Sequence, residues 1–89
     1  ALEIERAQGV YLYTKDGRAI LDGISSWWIN THGHCHPKIV SAVQEQAATL
    51  DQIFFAGFSH APAEKLSRRL LRTVQDRLGS GLEFAFFSD

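Results

Sequence analysis

The residues best suited to chemistry lie close together, in positions 21–37. This stretch holds both tryptophans, three of the four histidines and the only cysteine. A tryptophan can bury roughly 150–250 Å² but carries an N–H that needs a partner, so two adjacent tryptophans are costly to expose and difficult to bury completely. The pair Trp27 and Trp28 therefore indicates the wall of a pocket.

Imidazole and thiolate side chains next to the tryptophans suggest zinc ligation as one reading. Structural zinc sites usually join two ligand pairs across a long stretch, and only His60 lies outside the cluster, so we expect no metal site. The other reading is a turn in which Gly33 takes an unusual backbone conformation and the histidines cap or hydrogen-bond the start of the next helix. The residues concerned are His32, His34, Cys35 and His36.

No nucleophile for catalysis stands out. Ser25 and Ser26 lack the glycine-flanked strand-to-helix turn of a nucleophile elbow, and Cys35 lacks a separate orienting residue. Asp22 and Asp51 are more typical of turns than of a catalytic pair. None of these side chains indicates a function by itself.

Composition excludes several classes of partner. Nine Lys+Arg against ten Asp+Glu give a net charge of -1, so no excess basic charge favours nucleic acid or an anionic membrane surface. One cysteine cannot form an internal disulfide, no apolar run approaches the roughly 20 residues of a membrane span, and the first residues do not resemble a signal peptide. A cytoplasmic protein is expected.

Charged residues that end in Gly9 indicate a lead-in segment, and the pattern after it predicts strands and two helices. Asp16-Gly17 is a type I′ turn pair that predicts a β-hairpin, and Gly23 allows a bend into a third strand that carries the tryptophans. Apolar residues at spacings of three and four predict both helices. Pro37 fits the first turn of one of them, and Gly79 is a left-handed stop for the other. The predicted elements are the lead-in 1–9, strands 10–14, 18–22 and 24–29, helices 37–50 and 61–78, and strand 82–89.

The final strand is continuously apolar in its second half, which is typical of a strand buried on both faces of a parallel sheet. Such a strand needs neighbours, and the sequence stops directly after it. We therefore expect the chain to be a fragment of a larger domain.

The motifs together resemble the N-terminal part of class III pyridoxal-phosphate aminotransferases. The resemblance implies an α/β protein of fold type I, of which this chain is an N-terminal α+β segment. Residues 1–60 would belong to the small domain and its connecting loop, and residues 61–89 would begin the large cofactor-binding domain. The residues that carry the resemblance are Gly9 to Tyr13, Asp16-Gly17-Arg18, Leu21-Asp22, Gly33-His34, His36-Pro37, Gln46, Phe55, Gly57 to His60, Pro62-Ala63 and Phe86 to Asp89.

The Ser25-Ser26-Trp27-Trp28 run narrows the resemblance to the family members of biotin biosynthesis. The implied reaction moves an amino group from S-adenosylmethionine to 8-amino-7-oxononanoate, giving 7,8-diaminononanoate, with pyridoxal 5′-phosphate as cofactor. It also implies that Trp27 lines the substrate site, with Trp28 as a packing neighbour, and that the enzyme is a homodimer. The aromatic loop 54–58 is the candidate subunit contact. The alternatives are another ω-aminotransferase and, from a different class, a small metal-binding module.

The resemblance places the cofactor's anchors beyond this chain. These anchors are the lysine that bonds the cofactor, an aspartate for its ring nitrogen and a Ser-Gly-Ser segment for its phosphate. Lys15, Lys38 and Lys65 lie in a predicted turn and on predicted helices, with no sign of a desolvated amine. We therefore expect no catalytic or cofactor-binding residue here and no activity from the chain alone.

Overall fold

A computed structural model of the protein describes residues 1–88. The chain divides into two compact units, Ala1–Asp51 and a second that begins at Gln52. Within residues 1–88 no hydrophobic side chain is buried, so neither unit has a closed core of its own. The functional interest therefore lies in local geometry rather than in a core.

The first unit begins with a three-stranded antiparallel sheet in the order β1-β2-β3. Its strands are β1 (Ile4–Gln8), β2 (Tyr11–Thr14) and β3 (Ala19–Leu21). The predicted hairpin is confirmed as β2 and β3, with Leu12 opposite Ile20. The lead-in prediction for residues 1–9 is wrong, because β1 pairs with the free edge of β2 and Gln8 lies opposite Tyr11.

The charged residues of β1 are not typical of a strand, although one of them contributes to the pairing of β1 with β2. The Arg6 guanidinium lies 3.6 Å from the centre of the Tyr13 ring, on the neighbouring strand. A cation over an aromatic face is attracted by the ring's electron density. The charged residues that indicated a lead-in segment therefore belong to a strand at the sheet edge.

The hairpin loop is not the predicted type I′ turn. Only Gly17 has a positive φ, +88°, whereas a type I′ turn needs positive φ at Asp16 as well. The Gly17 N–H donates to the Thr14 carbonyl and the Thr14 N–H donates to the Arg18 carbonyl, both at 3.0 Å, which gives a three-residue loop with a glycine bulge. The buried Thr14 hydroxyl explains the choice, because it bonds the Asp16 carboxylate and accepts the Arg18 N–H at 2.9 Å.

Both predicted helices are confirmed. They are α2 (Pro37–Thr49) and α3 (Ala61–Leu78), each with a proline in its first turn. Helix α3 ends at Gly79, whose φ of 59° is the expected left-handed stop.

Two predicted strands are not formed. Residues 24–29 contain a single helical turn, α1 (Ser25–Trp28), because the N–H groups that a strand would use in pairing donate to a side chain instead. Residues 82–88 are irregular, and Phe84 and Phe86 are exposed. A strand needs a neighbouring backbone, and the described chain supplies none to this stretch. Asp89, the last residue of the predicted strand, lies outside the described residues.

Candidate functional site

The turn α1 that carries the tryptophan pair has a left-handed backbone. Ser25, Ser26, Trp27 and Trp28 have φ values of 53°, 51°, 60° and 71°. This conformation costs roughly 1–2 kcal/mol for each residue other than glycine, so surrounding contacts must hold it. Backbone strain of this kind concentrates at functional sites.

Asp22 supplies one part of that support from the end of β3. Its Oδ1 accepts the Ser25 N–H at 2.8 Å and the Ile24 N–H at 3.2 Å. Its Oδ2 lies 2.6 Å from Nε2 of His34. The Asp22 carboxylate thus bonds two backbone N–H groups that follow it and also faces an imidazole twelve residues away.

His34 is held on both sides of its ring. Nδ1 lies 3.0 Å from the Asn30 amide nitrogen, which is a donor, so Nδ1 acts as acceptor and Nε2–H donates to Asp22. The His34 and Asp22 side chains are only 14% and 10% exposed. The bond from His34, and after it the bond from the Ser25 N–H, lowers the pKa of the Asp22 carboxyl. The pair is therefore a charge-assisted hydrogen bond in a protected position.

The backbone around His34 is tied to the loop before β2. His34 N–H donates to the Gly9 carbonyl at 2.7 Å, and Gly9 N–H donates to the His34 carbonyl at 3.0 Å. Gly33 has a φ of 78°, and a Cβ at this position would lie 3.1 Å from the Gly9 backbone. The predicted unusual conformation of Gly33 is confirmed, and the close approach to Gly9 gives a second reason for glycine.

The expected capping of the next helix by the histidine cluster is confirmed at His36, which caps α2 by accepting the Lys38 N–H at 3.2 Å. His60, for which no such role was predicted, caps α3 by accepting the Ala63 N–H at 3.4 Å. His32 is exposed, with its ring edge-on to that of His36. Residues 1–88 contain no group of three or more His, Cys, Asp or Glu side chains that could hold a metal ion.

The tryptophan pair extends from this hydrogen-bonded base into open space. Trp27 is 78% exposed and Trp28 is 80% exposed. Ile29, which follows directly, is equally open, so the turn presents a continuous apolar tip. Such a tip can cover an aliphatic chain or a cation. The binding roles of Trp27 and Trp28 stay predictions.

The described lysines do not fit an anchor for pyridoxal phosphate. Lys15 is exposed and forms an ion pair with Glu3 at 3.0 Å. Lys38 and Lys65 are exposed on α2 and α3. A lysine that bonds this cofactor must be held in an enclosed site as a free amine. We therefore derive no chemical step through the cofactor from these residues.

The second unit has its own aromatic cluster. The Phe55 ring stacks on His60 with ring centres 5.2 Å apart and on Phe87 at 5.8 Å. Phe54 and Phe58 meet edge to face at 5.4 Å. All three phenylalanines of the loop remain about half exposed or more, so the predicted aromatic surface is present.

Sequence reasoning missed the Asp22–His34 pair and the left-handed turn that it supports. A separation of twelve residues has no helical or strand period that would indicate contact. The only available signal was that Asp22 and His34 both lie in the motifs quoted above.

Within residues 1–88 no helix is both long enough and apolar enough to span a membrane.

Comparison with known proteins connects this geometry to one family. The model of the family described as aminotransferase class-III matches residues 1–85. An adenosylmethionine-8-amino-7-oxononanoate aminotransferase from Synechococcus elongatus is 47% identical over 88 residues, which cover 99% of this chain and 20% of that protein. The protein of the same name from Aquifex aeolicus is 39% identical over 88 residues, covering 99% of this chain and 18% of its own.

Solved structures agree with the sequence matches. The enzyme of the same name from Methanocaldococcus jannaschii has a TM-score of 0.77 and 33% identity, covering 82% of this chain and 17% of its own. A taurine:2-oxoglutarate aminotransferase from Bifidobacterium kashiwanohense has a TM-score of 0.78 and 26% identity, covering 85% of this chain and 17% of its own. The chain thus spans about a fifth of the length of these relatives. It has the fold of the N-terminal part of pyridoxal-phosphate aminotransferases, and it belongs to the class III aminotransferase family.

Proposed function

We propose that this chain is part of an aminotransferase of biotin biosynthesis, which transfers an amino group from S-adenosylmethionine to 8-amino-7-oxononanoate. The observation that carries the proposal is the left-handed turn that presents Trp27 and Trp28 outward. The name of the 47% identical relative supports the same reaction. The proposal includes a cytoplasmic location.

The physical task proposed for Trp27 is to bind and orient the substrates. Its open indole face can cover the aliphatic chain of the keto acid and exclude water from it. The same face attracts the sulfonium of the adenosyl donor, because a cation over an indole is stabilised by the ring. Trp28 would pack beside it and limit its movement.

Pyridoxal phosphate, when bound, supplies the electron sink for amino transfer. It would be held by parts of the enzyme beyond this chain, since the described lysines do not fit an anchor. Residues 1–60 would then contribute the small-domain side of the substrate site, and residues from 61 onward would begin the cofactor domain. This chain alone would be inactive.

The backbone does not distinguish this reaction from those of other aminotransferases. The ornithine aminotransferase of Plasmodium yoelii has a TM-score of 0.74 against this chain, close to the 0.77 of the enzyme named for the biotin-pathway reaction. The competing proposal is therefore that the enzyme is another ω-aminotransferase, which acts on a different amine. The tryptophan pair favours the first, because two exposed indoles suit a long apolar acceptor and a cationic donor.

The test is a steady-state assay of the full-length enzyme with 8-amino-7-oxononanoate as acceptor. S-adenosylmethionine is compared with ornithine and with a simple diamine as amino donors, and 7,8-diaminononanoate is quantified. We expect turnover with S-adenosylmethionine. Turnover only with ornithine or the diamine would replace the proposal by the competing one.

Assembly is a further part of the proposal. The enzyme would be a homodimer with the aromatic loop 54–58 in or near the subunit contact. Three partly exposed phenylalanines on one loop need a cover in the full protein, since soluble proteins seldom expose large apolar patches. Sedimentation of the full-length protein tests the dimer directly.

A further inference from the structure

Hydrogen bonds connect the backbone of Gly9 to the turn that carries the tryptophans. His34 and Gly9 exchange two backbone bonds, of 2.7 and 3.0 Å. The His34 ring then bonds Asp22 at 2.6 Å, and Asp22 bonds the Ser25 N–H at 2.8 Å. The two side chains in this series are largely withdrawn from solvent, whereas Trp27, two residues after Ser25, is 78% exposed.

Asn30 joins the same set from the other end of the turn. Its backbone N–H donates to the Ser25 carbonyl at 3.1 Å. Its side-chain amide lies 3.0 Å from Nδ1 of His34 and 3.4 Å from the Ser26 hydroxyl. One residue thus contacts the start of the turn, its second serine and the imidazole.

We propose that Asp22, His34 and Asn30 form a clasp that holds the turn left-handed and so fixes the orientation of the Trp27 ring towards the substrate. This inference rests on the proposed function, in which Trp27 contacts the substrates. The clasp residues are positioning residues, and the Asp22 and His34 side chains are largely withdrawn from solvent. Their effect on catalysis passes through Trp27.

The residue types match this task closely. A carboxylate can accept the two backbone N–H groups and the imidazole N–H together, which an amide or hydroxyl cannot do equally well. The neutral imidazole offers one donor and one acceptor, and Asn30 fixes which nitrogen is which. Asn30 therefore orients the His34 ring, the ring orients the Asp22 carboxylate, and the carboxylate holds the Ser25 N–H of the turn.

A double-mutant cycle in the full-length holoenzyme separates positioning from general stabilisation. The variants are Asp22→Asn, Trp27→Ala and the double variant, each measured for kcat and KM and for the absorbance of bound cofactor. With Trp27 present, we expect Asp22→Asn to lower kcat/KM about 10-fold, within the range of coupling between residues that act together. In the Trp27→Ala background the same change should cost less than about 2-fold, because the ring that the clasp orients is gone.

Matched controls use residues of the same type outside the clasp. Asp16→Asn alters a carboxylate in the hairpin loop, and His32→Gln alters an exposed histidine. Both should leave kcat/KM unchanged. If Asp22→Asn does not fold, His34→Gln and His34→Ala replace it. The glutamine can still donate to Asp22 and should retain more activity than the alanine.

Equal losses from Asp22→Asn in both backgrounds would overturn the proposal, because the effect would then be independent of Trp27. Absence of any loss from Asp22→Asn, or from Trp27→Ala, would overturn it as well. Failure of the proposed function gives a different result, which is that the wild-type enzyme does not turn over S-adenosylmethionine. The cycle is then measured with the donor and acceptor that the wild type converts, where the same outcomes decide.

Discussion

Trp27→Ala in the full-length enzyme tests the central role in the proposed function. The side chain is 78% exposed in this chain, so the chain itself leaves most of the ring uncovered. If a ligand covers one indole face, about 100 Å² of apolar surface on the protein side leaves water, and at about 25 cal/mol per Å² this is worth about 2.5 kcal/mol. Alanine retains little of that surface, so we expect a loss near 2 kcal/mol, or about 30-fold in kcat/KM.

The assay measures kcat/KM for both substrates, together with the absorbance of the bound cofactor. The loss should appear for the keto acid and for the adenosyl donor, since both would use the same ring. Cofactor absorbance should be unchanged, because no described residue fits a cofactor anchor. Trp28→Phe is the matched control. As a change to the packing neighbour, it should lower Tm and should reduce kcat/KM less than Trp27→Ala does.

A near wild-type kcat/KM for Trp27→Ala, with normal cofactor occupancy, would refute the assignment of Trp27 to the substrate site. An equal loss for a small acceptor that cannot extend to the indole would also count against it. Such a loss would indicate general damage to the fold instead of a missing contact.

The other predictions concern the base of the turn and the aromatic loop. Gly33→Ala should destabilise the full-length enzyme by about 1–3 kcal/mol, seen as a lower Tm, because its Cβ would meet the Gly9 backbone in a left-handed conformation; an unchanged Tm would contradict this. The Asp22 carboxyl has a folded-state pKa below its ordinary value of 3.8, so its stabilising effect is complete well above pH 3.8 and is lost as the pH falls through 3.8 towards the lowered pKa. Tm measured against pH should therefore fall less steeply below about pH 4.5 in Asp22→Asn than in the wild type, and parallel curves would contradict the pairing with His34. Phe55→Asp should shift sedimentation towards monomer and reduce activity, whereas a fully active dimer would show that the Phe55 ring serves only its stacking on His60 and Phe87.

Elements that depend on local sequence were predictable. Helix α3 has an apolar stripe, a proline in its first turn and a glycine stop, and all of these act within a few residues of each other. The hairpin was predictable for the same reason, although its loop type was not. The Thr14 hydroxyl determines the loop type by bonding the Asp16 carboxylate and the Arg18 N–H. The Asp16-Gly17 pair alone does not reveal such a bond from a neighbouring side chain.

Elements that depend on distant partners were not predictable. Strand β1 exists because the edge of β2 needs hydrogen-bond partners, and its charges hid it. Residues 82–88 have the composition of a buried strand but no neighbouring strand in the described chain. An apolar pattern shows what a segment could bury, whereas the backbone partner decides whether it forms a strand.

The site combines both cases, and this explains why its residues were found while its geometry was not. The density of Trp27, Trp28 and the histidines marks positions 21–37 from composition alone. The left-handed turn, however, is held by the Asp22 carboxylate and by the His34 ring, whose own backbone is bonded to Gly9. No local propensity favours four consecutive positive φ values in Ser and Trp. A conformation that local preference opposes must be maintained by several fixed contacts, and those contacts make the orientation of the exposed indoles reproducible. The strain and the preorganisation of the tryptophan pair are therefore two consequences of one hydrogen-bonded arrangement.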